Sequence, residues 1–509
     1  MTSLESRKEK LNWDFYSAAL ILVYAMLQLL RWRILPQFMD IYYHILTAWG
    51  FIQAGGFTGW DFWQYAPVGR VHIYPPLLHI LLALLMKCGA SAIILAKLFE
   101  TFTPPLFLFT LWVFLRRNYN AKLAFFGVVV LGSSFSFYLS LINHIPATLA
   151  AIFGLLAADQ FLRKRLIRAA ILLTACFYTH IGSPWLFCLA ILFYGFMDRE
   201  RRRDSLLLLL SSIVLSAPML FKELNGLKHV SALGFNLQEK HAIQFKIAEY
   251  LLAAFGLFLA IKKGGSYKFF FAFFLASFIF LFYPYRFFCA EGYLAIILLG
   301  SLTLVEFFNL LTDRMKWPGY MVFLMLVLFE IFSPTLARDM INEGAGAGYR
   351  FKAFDSAFTG MLFAKGDSIW SPGDYVLASE IIKKNSNTRD IIYSTLNPIG
   401  MGLAAVSGRA TANALFVEIG PAQEFDPFAV SKIIIFPVDE ERGSLEAKVR
   451  KYSLEKIGET KALILYRNLN RRLAVKINKA SVPFVFIAIL VLAAAIILIK
   501  NRRKIYLTS

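Results

Sequence analysis

Five short motifs carry the unusual polar residues of this sequence, each beside a long apolar run. The first is Met39-Asp40-Ile41-Tyr42-Tyr43-His44. A carboxylate at the edge of an apolar run is costly unless it is hydrated or paired. Asp40 has two readings: the N-cap of a helix over 41–54, or a catalytic base that takes a proton from an acceptor hydroxyl. Tyr43 and His44 would lie beside it on the first turn of that helix. The second motif, Tyr74-Pro75-Pro76-Leu77-Leu78-His79, opens a short apolar helix, where proline is tolerated. The third is Leu141-Ile142-Asn143-His144-Ile145-Pro146. The fourth is the polar turn from Tyr178 to Trp185, with His180 inside it. The fifth is Phe282-Tyr283-Pro284-Tyr285-Arg286-Phe287, followed by Glu291. Arginine is expensive near hydrocarbon, and its planar fork suits phosphate. Snorkelling, or an ion pair with Glu291, is the other reading of Arg286. Between the first two motifs, the stretch Gly55 to Tyr65 interleaves five aromatics with three glycines. Such a stretch suits an interfacial belt, or a site for a sugar or lipid headgroup.

Composition sets where these motifs sit. Of 509 residues, 58% are hydrophobic and 17% charged. Soluble domains average roughly 45–50% and about 25%. A soluble enzyme, a disordered scaffold and a secreted disulfide module are excluded. The four cysteines lack C-x-x-C spacing and read as buried small hydrophobes. About 20 apolar residues make one membrane crossing. On that scale twelve spans are expected: 15–32, 95–115, 121–141, 145–162, 167–181, 184–198, 205–221, 245–261, 269–284, 287–309, 318–337 and 482–499.

The net charge of +20 could suggest nucleic acid, but the placement of the charges gives it another meaning. If the apolar helix 73–88 does not span, and belongs to a long outer loop 33–94, seven regions face the cytoplasm. They hold 23 Lys and Arg, against 10 in the short outer segments. That is the positive-inside pattern, and no nucleic-acid partner is needed. All seven histidines then fall outside or at the outer ends of helices. The more polar stretch 338–480 also faces out. It holds strand candidates at 390–393, 432–436 and 461–466, with helices over 374–384 and 440–458. The fold class expected is thus a polytopic α-helical membrane protein with a small extracytoplasmic α/β domain before the last span. The units are 1–337, including the loop 33–94, then 338–480, then 481–509 as a last span and cytoplasmic tail.

Asp-x-Tyr-Tyr-His after the first span, then a loop ending in Tyr-Pro-Pro-Leu-x-His, resembles the GT-C superfamily of membrane glycosyltransferases. The layout is most similar to the catalytic subunit of oligosaccharyltransferases. Pro104-Pro105 and the basic turn Arg116-Arg117-Asn118 fit that layout. The resemblance implies sugar transfer on the extracytoplasmic side of a prokaryotic plasma membrane. The donor would be a polyprenyl-phosphate or -diphosphate sugar, and the acceptor a glycan, lipid or protein. Asp40 would be catalytic. Tyr43, His44, Tyr74, His79, Asn143, His144, His180, Arg286 and Glu291 would shape the substrate site, with Arg286 at the donor phosphate. A divalent cation, Mn²⁺ or Mg²⁺, would sit on Asp40 and His144, although Asn143 stands where the family has a second carboxylate. The family's Trp-Trp-Asp-Tyr-Gly motif is reduced here to Asp374-Tyr375, after Trp370-Ser371-Pro372-Gly373. A transporter or flippase, or a noncatalytic relative, are the competing readings.

The charge asymmetry makes a prediction about sides. On a background without the native cysteines, Arg203→Cys and Lys383→Cys should be labelled from opposite sides of the membrane. Labelling from the same side would overturn the orientation.

Overall fold

A computed structural model describes residues 12–33, 40–230, 244–338, 349–352, 356–363, 372–415, 419–470 and 473–484. Several residues singled out above lie outside them: Arg7, Lys8, Lys10, Met39, His241, Trp370, Ser371, the span residues 485–499 and the basic residues from Lys500 to Lys504.

The protein is an integral membrane protein built mostly of apolar helices. Five are long and apolar enough to cross a membrane: Trp13–Arg33, Ala92–Asn118, Ile145–Leu162, Arg199–Leu227 and the segment Pro284–Met315. A sixth crossing is broken. Ala121–Ser133 and Phe135–Asn143 meet at a bend of 79°. The expected single span 121–141 is corrected accordingly, and its cause is local. Gly132-Ser133-Ser134 falls at the break, and the Ser133 hydroxyl donates back to the Val130 carbonyl. Leu166–Phe177, Ser183–Met197, Gly265–Phe280 and Trp317–Phe332 are apolar but shorter. By length and composition, then, up to six crossings lie among the described residues; the twelve expected spans also include the shorter helices and 482–499, most of which lies outside the described residues. The expected span 287–309 also begins differently. Short turns at Pro284–Phe288 and Glu291–Tyr293 precede the continuous helix Leu294–Met315. Ile247–Lys263 packs on that helix so closely that a side chain at Gly256 would strike the Leu299 backbone.

The helix Leu77–Lys87 has 11 residues. That is about 16 Å of helix, roughly half the hydrocarbon thickness. It packs on Asp40–Ala54, which is buried along nearly its whole length.

The α/β region has a five-stranded mixed sheet. Its order is Leu454–Glu459, Leu463–Asn468, Ile433–Pro437, Ile391–Ser394, Ala410–Thr411. The last three are mutually parallel and the first two antiparallel. Runs such as Ile433-Ile434-Ile435-Phe436 are buried on both faces, which explains why they read as unbroken apolar segments. The helix expected over 440–458 is shorter, Arg442–Tyr452. Ser453 turns left-handed there, at φ 51°, and the chain continues as a strand.

This region does not stand apart from the first outer loop. One core cluster combines residues 41–99 with residues 375–475. The loop also extends the sheet: Thr411 N donates to Trp63 O at 2.9 Å, and Ala66 N to Thr411 O at 3.0 Å. A buried ion pair fastens the junction. Arg70 Nε lies 3.1 Å from Asp61 Oδ2, and its Nη atoms donate to Gln64 Oε1 and to the carbonyls of Leu415 and Ile419. Burial pushes the Asp61 carboxyl up to about 6 against the pull of Arg70. Arg70→Ala would strand a buried carboxylate and several carbonyls, a loss of about 3–5 kcal/mol. Asp61→Asn should cost much less. Thermal unfolding in detergent should rank the variants in that order, and equal stability would remove the pair from any structural part.

Candidate active site

The break after Ala121–Ser133, the short turns after Tyr283 and the short helix Leu77–Lys87 leave polar residues facing one another. Asp40 opens the helix Asp40–Ala54, and His44 follows one turn later. His44 Nε2 lies 3.4 Å from Asp40 Oδ2. The Tyr74 ring packs edge-on against His44 at 5.2 Å and against His180 at 6.3 Å. His180 is held by Ser183, whose hydroxyl is 2.8 Å from both His180 Nδ1 and Glu291 Oε1. Glu291 accepts from Arg286 Nη1 at 2.6 Å. Next to Arg286, the Tyr285 ring packs edge-on against His144 at 5.4 Å. His144 caps the junction between Phe135–Asn143 and Ile145–Leu162, with Asn143 beside it.

These contacts join residues from five separate parts of the chain. Tyr43 lies in the same cluster, 6.1 Å from the Tyr74 ring. His79 lies behind His44, fully buried. Asn143 is brought near only through its neighbour His144.

The electrostatics favour an ionised Asp40. Burial alone would raise its carboxyl, but His44, His144 and Arg286 together hold it below the ordinary value of 3.8. His180 is the opposite case. Burial and the nearby Arg286 push it down to about 3, against the pull of Glu291. Its Nδ1 accepts from the Gly182 and Ser183 amides at 3.1 and 3.0 Å. The ring is therefore neutral, with its proton on Nε2.

Both sequence readings of Arg286 now have geometry to answer to. The ion pair with Glu291 is formed.

The donor set around Asp40 does not fit a resident divalent cation. Its neighbours are imidazoles and a guanidinium, and an amide stands at residue 143. Mg²⁺ takes oxygen ligands, and Mn²⁺ is best served by carboxylate and water. Among the described residues no three His, Cys, Asp or Glu side chains converge as a metal-ligand set. No step below runs through a metal.

Three residues at the site were not picked out by sequence. Ser183 bridges His180 and Glu291, and Tyr285 carries the ring against His144. Lys222 holds the backbone of the Tyr74 segment, donating to the Tyr74 carbonyl at 3.1 Å. Ser183 and Tyr285 stood inside quoted motifs but had no distinguishing spacing. Lys222 was only one outer charge among ten.

Comparison of the sequence with family models and with curated proteins finds no match. The fold does have relatives among solved structures. One is the oligosaccharyltransferase AglB from Archaeoglobus fulgidus, in complex with an inhibitory peptide and a dolichol-phosphate. It aligns over 86% of this chain and 71% of its own, at TM-score 0.58 and 11% identity. ArnT from Cupriavidus metallidurans, bound to undecaprenyl phosphate, aligns over 90% of this chain and 98% of its own, at 0.54 and 12%. The arabinofuranosyltransferase AftD from Mycobacteria aligns over 89% and 40%, at 0.54 and 11%. The fold is thus shared with these three membrane glycosyltransferases, in the layout that the motifs suggested.

The tautomer of His180 can be observed. In ¹⁵N-histidine spectra its ring should keep the signature of a neutral Nε2–H imidazole from pH 5 to 8. A titration inside that window would contradict the assignment.

Proposed function

We propose that this protein is an extracytoplasmic glycosyltransferase that moves a sugar from a polyprenyl-phosphate or -diphosphate carrier to an acceptor hydroxyl. The observation that carries this reading is the convergence of Asp40, His44, Tyr74, His144, His180, Arg286 and Glu291 on one site of a GT-C fold. Relatives of that fold hold dolichol-phosphate and undecaprenyl phosphate.

The chemistry follows from the groups present. The donor's phosphate would lie at Arg286, with the His180 Nε2–H as a second, neutral donor. Both contacts strengthen as the carrier phosphate gains charge on leaving. The acceptor oxygen forms a bond to the anomeric carbon while the bond from that carbon to the phosphate oxygen breaks. Asp40 takes the hydroxyl proton, and its charge steadies the positive anomeric carbon in between. A single in-line displacement of this kind inverts the configuration. Glu291 and Ser183 hold Arg286 and His180 in place.

Asp40 supplies the test. Asp40→Asn keeps size and much of the capping ability, so expression and thermal stability should hold. Transfer should fall by about 10²-fold or more, the usual span of a general base. Because its pKa is depressed, Asp40 stays a base as the pH falls. It adds stability above its unfolded value and loses it only as the pH falls through its folded value. The acid limb of the rate profile should accordingly lie below about pH 4. An Asn variant with normal transfer would leave Asp40 as a helix cap.

A further inference from the structure

Behind Asp40 lies a second imidazole that the proposed chemistry does not use. His44 Nδ1 and His79 Nε2 are 2.8 Å apart. The two rings stack, with centroids 5.0 Å apart and 30° between their planes. Both side chains are fully buried. They come from different elements, His44 from Asp40–Ala54 and His79 from Leu77–Lys87. Phe51, Tyr43 and Tyr74 wall the pair, each ring within 6.2 Å of His79. An apolar residue at position 79 would fill this space without desolvating a polar ring, so the imidazole calls for a reason.

Hydrogen bookkeeping supplies one. A gap of 2.8 Å between two ring nitrogens holds one hydrogen. On the other side of His44, Nε2 faces Asp40 Oδ2 at 3.4 Å. An ionised carboxylate only accepts. An N–H on His44 Nε2 is therefore the arrangement that suits the carboxylate. His79 Nε2 shares the single hydrogen of the 2.8 Å gap with His44 Nδ1, so the ring at 79 sets how His44 presents its other edge to Asp40.

We propose that His79 is a positioning residue for Asp40, acting through His44. Its Nε2 contact fixes the ring angle of His44, so that His44 Nε2 faces the Asp40 carboxylate and holds it for the acceptor hydroxyl. The 3.4 Å contact is long for a hydrogen bond and would tighten with substrate bound. The arrangement places a nucleophile-activating group, its partner and an orienter in series. This inference rests on the reading of Asp40 as the base.

The test is a double-mutant cycle with lipid-linked sugar as donor. His79→Gln can keep a polar atom near the Nε2 position, whereas His79→Asn is too short to reach it. In the native background His79→Asn should lower kcat by about 10–100-fold, the scale of a misplaced catalytic group. The donor KM should stay within about twofold, and His79→Gln should recover most of kcat. In the Asp40→Asn background, His79→Asn should cost nothing further. His79→Phe serves as a third variant that keeps the bulk and should behave like Asn. Equal losses in both backgrounds, or Gln and Asn variants of equal activity, would overturn the proposal and leave His79 a packing residue. A fully active Asp40→Asn variant would instead remove the underlying reading of Asp40, which is a distinct result.

Discussion

A carboxylate held at the edge of an apolar helix bundle must be compensated, and the compensation for Asp40 shapes this protein. One imidazole comes from its own helix, a second from the junction 143–145, and a guanidinium from the turn before Leu294–Met315. The last two come from a bend and from short turns, where the expected spans 121–141 and 287–309 are interrupted. The bend of 79° at Ser134 and the short turns at Pro284–Tyr293 are therefore the irregularities on which the site depends. Ser133 sits at that bend with its hydroxyl near the buried carboxylates Glu249 and Glu330. The broken helix thus has polar partners in place of the backbone bonds it gives up.

The outer loop is the other support. A single core shared by residues 41–99 and 375–475, a sheet extended by the loop backbone, and the Asp61–Arg70 pair fix Asp40–Ala54 against the α/β region. Gly408, left-handed at φ 66°, ends the helix Asn397–Ser407 beside the Trp49 ring, where a larger residue would be strained. The helix that begins with Asp40 is positioned from both sides: by the membrane bundle through His44 and Tyr74, and by the outer region through Trp49 and Trp63. The His44–His79 contact lies where the short helix Leu77–Lys87 meets it.

Much of the site was legible in the sequence, because charged and imidazole side chains beside apolar runs are rarely placed without a partner. Asp40, His44, Tyr74, His144, His180, Arg286 and Glu291 were all named on that ground, and they do meet. What they bind to was less legible. Ser183 and Tyr285 acquire their parts only from folding, since a serine or a tyrosine at a helix start is common. The Asp61–Arg70 pair looked like two loop charges, because nothing in the spacing says that a loop is buried. Three of the five sheet strands were visible as apolar runs, but the two-residue Ala410–Thr411 was not, and neither was Leu454–Glu459. It has one buried residue, a shift in register near Lys456, and charges that imitate a helix face. The bend within 121–141 was missed for a related reason. Hydropathy registers apolar length along the chain, and it does not see a Ser-Ser break.

The central claim is that this cluster receives a lipid phosphate opposite a base, and a structure with the donor bound tests it most directly. In a cryo-EM map of the protein with a polyprenyl-phosphate sugar, the phosphate should lie within hydrogen-bond distance of Arg286 and His180 Nε2. The anomeric carbon should face Asp40, and the Arg286–Glu291 pair should remain as the brace. Density for the phosphate elsewhere on the bundle, with Arg286 engaged only by Glu291, would contradict the account.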